Sequence, residues 1–147
     1  EDIDLKSIIE RTNLKGRCDV IDNFILDVSH NPASVKNLIS FIAKDYKDTK
    51  FSAIFSSMND KDNVSIINEI SHLINEWNIC SISDDRFDAE SLMVLTKSLT
   101  DTKINKLTTV YSAVERGYHE GTPQIVFGSF ITVSEAYKAL EKLKSQL

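Results

Sequence analysis

Glycine is scarce in this sequence: Gly16, Gly117, Gly121 and Gly128 are the only four among 147 residues. Their spacing forms neither GxGxxG nor GxxxxGK(S/T), so the chain carries no dinucleotide fingerprint and no P-loop. If it handles ATP, the phosphate cradle is expected on another domain. Cysteine is scarcer still. Cys18 and Cys80 match no metal-ligand spacing, and both fall in predicted strands. They read as buried thiols in a reducing, cytoplasmic setting. Basic residues are outnumbered, 17 against 22 acidic, for a net charge of -5. That balance argues against a nucleic-acid footprint. No uninterrupted apolar run is long enough to cross a bilayer, which argues against a membrane span. An initiator Met is missing, and the acidic opening Glu1-Asp2-Ile3-Asp4 is no signal peptide. A fragment of a longer protein, or a processed chain, is expected.

What is present suits one folded domain with a real core: 41% hydrophobic and 27% charged residues. Residues 1–14 read as a linker or lead-in from a preceding domain. Lys15-Gly16-Arg17 is a turn into a strand over Cys18–Ile21, and Asp22-Asn23 turns the chain into a second strand, Phe24–Val28. That hairpin would bring Arg17 to the same end of the sheet as Asp27. A helix follows over Pro32–Tyr46, with Val35, Leu38, Ile39, Ile42 and Ala43 on its apolar face. Then come a strand over Phe51–Ser56 and a helix over Asn63–Glu76, whose buried stripe is Ile66, Ile67, Ile70, Leu73 and Ile74. Next are a strand over Trp77–Ile82, a helix over Ala89–Leu99 capped by Asp88, and a polar stretch over Thr100–Asn105. A short strand at Leu107–Val110, a helix capped by Ser112, a strand over Gln124–Gly128 and a final helix complete the chain. The alternation predicts an α/β fold: a Rossmann-like three-layer domain, with a mostly parallel, mixed sheet and helices on both faces.

Three polar turns each follow a predicted strand: Asp27–Pro32, Ser57–Asp62 and Gly128–Thr132. In a parallel sheet these ends share one edge, where open α/β folds keep their chemistry. In the first turn, Asp27 ends the strand, Asn31 can cap the next helix, and Pro32 suits its first position. His30 lies between them, so an aspartate, a histidine and free helix N–H groups meet at a rim that favours phosphate or carboxylate. In the second turn, Lys61 stands between Asp60 and Asp62. It either presents a cation held by its neighbours or is simply solvated beside a capping Asp62. In the third, Gly128 marks a bend or a close approach, and Ser129 either binds an anion or caps the last helix. Arg86, in the acidic loop, is expected to pair on the surface with Asp84 or Asp85.

The motifs Gly16-Arg17, Leu26-Asp27-Val28-Ser29-His30-Asn31-Pro32, Met58-Asn59-Asp60-Lys61-Asp62 and Val126-Phe127-Gly128-Ser129-Phe130-Ile131-Thr132-Val133 occur in that order. In order and spacing the chain resembles the C-terminal domain of folylpolyglutamate synthase and the bifunctional dihydrofolate synthase, within the Mur ligase superfamily. The resemblance covers nearly the whole chain, with residues 15–147 as the domain. It implies an ATP-dependent amide ligase: a carboxyl group is phosphorylated, and the acyl phosphate is attacked by the amino group of glutamate. The P-loop and most Mg²⁺ ligands would lie on a central ATPase domain, over which this domain closes; no metal ligand is expected here. By resemblance, Arg17 contacts the ATP phosphates and Asp27 the ribose, with Asn31 in the same nucleotide site and His30 as the catalytic candidate. Lys61 and Ser129 lie towards the glutamate. The acceptor would be dihydropteroate, a folate, or both. Ser29 replaces a usual Ala, Cys18 a larger apolar residue, and Ile131 a frequent His. The rival reading is a stand-alone, non-catalytic α/β binding module of flavodoxin-like shape.

Overall fold

The computed structural model describes residues 16–146, so the lead-in expected over residues 1–14 lies outside the described residues. The strands are β1 (Asp19–Ile21), β2 (Phe24–Leu26), β3 (Phe51–Phe55), β4 (Ile74–Ser81), β5 (Lys103–Ile104), β6 (Thr108–Thr109) and β7 (Gln124–Phe127). The described helices are α1 (Pro32–Asp45), α2 (Asn63–Ile70), α3 (Ala89–Leu99), α4 (Val110–Glu120) and α5 (Phe130–Lys144). The strands form one mixed sheet in the order β1-β2-β7-β3-β4-β5, with β6 also paired to β4. Only the β1–β2 hairpin is antiparallel.

Both faces of the central strands are buried, and their side chains alternate between two cores. Ile25, Phe51, Ala53, Phe55, Trp77, Ile79, Ile125 and Phe127 meet Val35, Leu38 and Ile42 of α1, Ile66, Ile67 and Ile70 of α2, and Leu92 of α3. Phe24, Leu26, Ile54, Cys80 and Val126 meet α4 and α5 on the other face. In the first core, Phe55 stacks on Phe127 at 4.6 Å and meets Trp77 edge-on at 5.6 Å. Aromatic pairs of this kind add about 0.5–1.5 kcal/mol each beyond area burial. They fasten β3, β7 and β4 just below the ends where the polar turns begin.

Several expectations need correction. The second helix stops at Ile70; a 3₁₀ turn over Ser71–Leu73 follows, and β4 starts at Ile74. The helical spacing of Leu73 and Ile74 is therefore fortuitous, and pairing of Phe51 with Ile74 across β3 and β4 overrides it. Ala43 is exposed, since α1 buries only Val35, Leu38 and Ile42. Within the polar stretch over Thr100–Asn105, Lys103–Ile104 forms a short strand. Thr109, not Ser112, caps α4, its side chain accepting from the Ser112 N–H. Cys18 lies outside β1, at a φ of +51°.

Candidate functional site

The ends of β2, β7 and β3 lie side by side and point the same way. From β2 the chain passes to α1 on one face; from the adjacent β7 it passes to α5 on the other. Two helices that leave neighbouring strand ends for opposite faces open a crevice between them, the usual ligand position in open α/β sheets. The expectation that the three polar turns share one edge is met.

Gly128 is the keystone of the floor. Its φ is +115°, and a Cβ there would lie 2.1 Å from the Ser56 carbonyl oxygen. Its N–H donates to the Ser29 carbonyl at 2.9 Å. Thr132 Oγ1 donates to the Ser56 carbonyl at 3.3 Å, so the third turn is tied to both others. Within the middle turn, Ser57 Oγ donates to Asn63 Oδ1 at 2.6 Å, and Asn63 Nδ2 donates to the Met58 carbonyl at 3.1 Å.

Asp27 is 8% exposed. Its Oδ1 accepts the Ser29 N–H at 2.8 Å; its Oδ2 accepts the Cys18 N–H at 2.8 Å and the Cys18 thiol at 3.2 Å. Charge-assisted bonds of this kind are the stronger class. Asp27 therefore braces the turn and the hairpin at once. Val28 N–H adds a bond to the Gly16 carbonyl at 2.7 Å. These contacts put Arg17 beside the end of β2, as the hairpin implied. Arg17 itself is exposed and meets no acid among the described residues.

His30 Nδ1 lies 2.9 Å from the Val28 carbonyl, which can only accept. The Nδ1–H tautomer follows, leaving Nε2 with its lone pair when the ring is neutral. The half-buried ring sits 6.1 Å from that of Phe130, across the mouth between the two helix starts. Asn31 caps α1 through the Ser34 N–H at 2.9 Å, and Ser34 Oγ accepts in return from Asn31 N–H at 3.3 Å. Ser129 caps α5, accepting from the Thr132 N–H at 3.1 Å. Asp62 caps α2 through Ser65 N–H at 3.2 Å. Lys61 is half-buried on the middle turn and forms no ion pair with Asp60 or Asp62 among the described residues. Arg86 pairs with Asp84 through Nε at 3.1 Å and Nη2 at 3.0 Å, as expected, and this pair holds the half-buried Asp84 carboxyl below its usual range. Among the described residues, no group of three or more His, Cys, Asp or Glu side chains is placed to hold a metal ion.

No family model matches the chain. The dihydrofolate synthase/folylpolyglutamate synthase of Buchnera aphidicola subsp. Schizaphis graminum is 29% identical over 137 residues, covering 89% of this chain and 32% of that protein. Its counterpart from the subspecies Baizongia pistaciae is 28% identical, covering 92% of this chain and 33% of its own length. A bifunctional folylpolyglutamate synthase/dihydrofolate synthase solved with Mn, AMPPNP and L-glutamate superposes with a TM-score of 0.74. It is 27% identical, over 88% of this chain and 32% of that one.

The chain resembles the C-terminal domain of the dihydrofolate/folylpolyglutamate synthases.

It spans about a third of the length of the curated relatives it matches. The Yersinia pestis enzyme, solved with AMPPNP and Mn, gives a TM-score of 0.73 at 26% identity over 86% of this chain and 31% of that one. The motif-based resemblance and the α/β three-layer fold both stand. Sequence reasoning missed Tyr137 and Asn63, which lace the rim from elements distant in sequence or from inside a helix. For Asn63 a signal existed: a polar residue that opens a helix directly after a polar turn.

Proposed function

We propose that this chain is the C-terminal domain of an ATP-dependent ligase that joins glutamate to dihydropteroate, to folates, or to both. The observation that carries the reading is Arg17. It is an exposed cation with no acid partner among the described residues, held on a braced turn at the mouth of a switch-point crevice. The residues present fit a nucleotide phosphate: an exposed guanidinium that meets no acid among the described residues, two helix starts, and a Gly floor where backbone can come close. ATP supplies the phosphoryl group that activates the acceptor carboxyl; positioning and charge neutralisation then carry most of the catalysis. Arg17 neutralises phosphate charge when the domain closes over its N-terminal ATPase partner, and closure keeps water from the activated carboxyl. Asp27 fixes the rim and takes a ribose hydroxyl on the lone pairs that its donors leave. Asn31 keeps the start of α1 in place, and His30 offers Nε2 to the same site. Lys61, free of its acidic neighbours, meets a carboxylate of glutamate, with Ser129 holding the opposite turn. Mg²⁺ ligands belong to the rest of the ligase. Both cysteines are free thiols and no described helix is long and apolar enough to cross a membrane, which supports a cytoplasmic enzyme.

The test is an assay of the full-length protein with ATP, glutamate and each acceptor. ATP-dependent glutamate ligation is expected. Arg17→Ala should lower kcat/KM for ATP by about tenfold to a hundredfold, the scale of a lost charge-assisted contact. Lys61→Ala should instead weaken glutamate use. ATP binding without any ligation in the full-length protein returns the chain to the binding-module reading.

A further inference from the structure

We infer that Tyr137 is a positioning residue that aims Arg17 into the crevice. Resting as it does on the ligase reading only for what Arg17 meets there, the inference concerns a clamp seen in the structure itself. Tyr137 lies on α5, more than a hundred residues from the segment it holds. Its hydroxyl accepts the Gly16 N–H at 2.6 Å and donates to Asp19 Oδ2 at 2.7 Å. Those two contacts bracket Arg17 from both sides in sequence. Two more ties fix the same strap from the β2 side: Val28 N–H to the Gly16 carbonyl, and Cys18 N–H to Asp27.

The strap needs holding. Gly16 has φ +77° and Cys18 φ +51°. The second value is costly for a residue with a side chain, and such a conformation persists only where surrounding contacts over-determine it. Burial and the Asp19 carboxylate push the Tyr137 phenol well above its usual range, so it stays protonated and keeps donating. α5 is also capped by Ser129, on the crevice floor, and begins at Phe130. One rigid helix thus ends the third turn and, two turns later, anchors the guanidinium-bearing strap. Whatever moves α5 moves Arg17 with it. The side chain of Arg17 is exposed and meets no acid among the described residues, while the residues on either side of it, Gly16, Cys18 and Asp19, are tied by four hydrogen bonds.

Two measurements on Tyr137→Phe test the clamp; the variant keeps the ring and deletes only the hydroxyl. The first is limited trypsin digestion read by mass spectrometry, which needs no nucleotide. Cleavage after Arg17 should be about tenfold faster than in wild type, with Lys97 and Arg116 in the helices still protected. Unchanged cleavage at Arg17, or equal acceleration at Lys97 and Arg116, overturns the inference. The second is steady-state kinetics in the full-length ligase. Tyr137→Phe should raise KM for ATP about tenfold on its own and have little effect in an Arg17→Ala background, because it acts through that residue. A loss that is fully additive in the double variant overturns the inference as well. Faster cleavage after Arg17 combined with wild-type kinetics in Arg17→Ala overturns the nucleotide reading and leaves the clamp standing.

Discussion

At the outer edge of the sheet, Arg116 and Lys103 both reach Glu76, at 3.4 and 3.8 Å, and Arg116 also bonds Asn78 Oδ1. At the crevice rim, Arg17 and Lys61 reach no acid among the described residues. The outer edge goes further in satisfying itself. Asn78, 1% exposed, donates from Nδ2 to Ser52 Oγ and to the Ala53 carbonyl, each at 3.0 Å. Its Oδ1 accepts from Asn105 at 2.8 Å and from Arg116. That is the full capacity of an amide. The rim, by contrast, uses its polar atoms to fix backbone and leaves its cations over. A region whose charges close on one another is built for stability. A region that braces its backbone and leaves cations open is built to meet an anion.

Breaking the rim's backbone should give the largest effect. Gly128→Ala puts a Cβ against the Ser56 carbonyl at 2.1 Å, at a φ closed to side chains. Both the strand end and the first turn of α5 would have to move. A loss of about 3–5 kcal/mol is expected in denaturant unfolding. A loss below about 1 kcal/mol would show that the three turns are not locked together at this residue.

Next comes the outer edge. Asn78→Leu keeps the volume but strands the hydrogen-bonding groups of Arg116, Asn105 and Ser52, and should cost about 2–4 kcal/mol. KM for ATP should stay at wild type. Arg17→Ala should show the opposite pattern, with stability within about 0.5 kcal/mol of wild type and a large loss in ATP use. If the two variants exchange these signatures, the division between a closed edge and an open rim is wrong.

Much of this division was readable beforehand, for physical reasons that can be named. Parallel strands put successive polar turns on one edge, so Asp27, Lys61 and Ser129 could be placed together from alternation alone. Capping chemistry is local, which is why Asn31, Asp88 and Pro32 were placed correctly. The rest depended on tertiary contacts. Ile66, Ile67, Ile70, Leu73 and Ile74 keep helical spacing through a point where the chain turns into β4. Thr109 and Ser112 are both capping residues three apart, and only the folded chain shows which one accepts. Tyr137 reads as one more apolar-face residue of the last helix, and its hydroxyl's partners lie at the other end of the sequence. The three donors that Asp27 takes, two of them from the segment before β1, are likewise visible only in the folded chain.

Asp27→Asn is accordingly expected to cost about 1–2 kcal/mol of stability as well as ligation rate. A thiol reports on it directly. Burial, and then the Asp27 charge and hydrogen bond, push the Cys18 thiol up to about 12 from an ordinary 9.0. Burial takes Cys80 to about 12 as well. At pH 8 both should label slowly in the native protein, since the thiolate is the reactive form. Asp27→Asn removes the charge, lowers the Cys18 value and should speed its labelling while Cys80 stays slow. The sign for stability follows. Folded values above the unfolded one mean that the two thiols contribute fully below about pH 9, and that this contribution is lost as pH climbs towards 12. Equal labelling of Cys18 in wild type and Asp27→Asn would remove Asp27 from the brace.

The smallest effect sharpens the comparison most finely. Ser29 is 1% exposed, and its Oγ has no hydrogen-bond partner among the described residues, although its backbone oxygen holds Gly128. A buried hydroxyl without a partner has lost its water bonds and regained none, which costs about 1–3 kcal/mol. Ser29→Ala deletes the oxygen, keeps the Cβ and leaves the backbone bond to Gly128 untouched. The cavity left by one oxygen offsets part of the gain. The net expectation is a stabilisation of about 0.5–1 kcal/mol, seen as a rise of about 2–4 °C in Tm. The same deletion made on β3 within the Asn78 network, Ser52→Ala, should lower Tm, because Ser52 Oγ accepts from Asn78. Opposite signs for two buried serines in one fold would separate a hydroxyl that is satisfied, in the Asn78 network, from one that is not, on the rim. A fall in Tm for Ser29→Ala would mean that its hydroxyl has a partner in solution, and the rim would then be as closed as the edge.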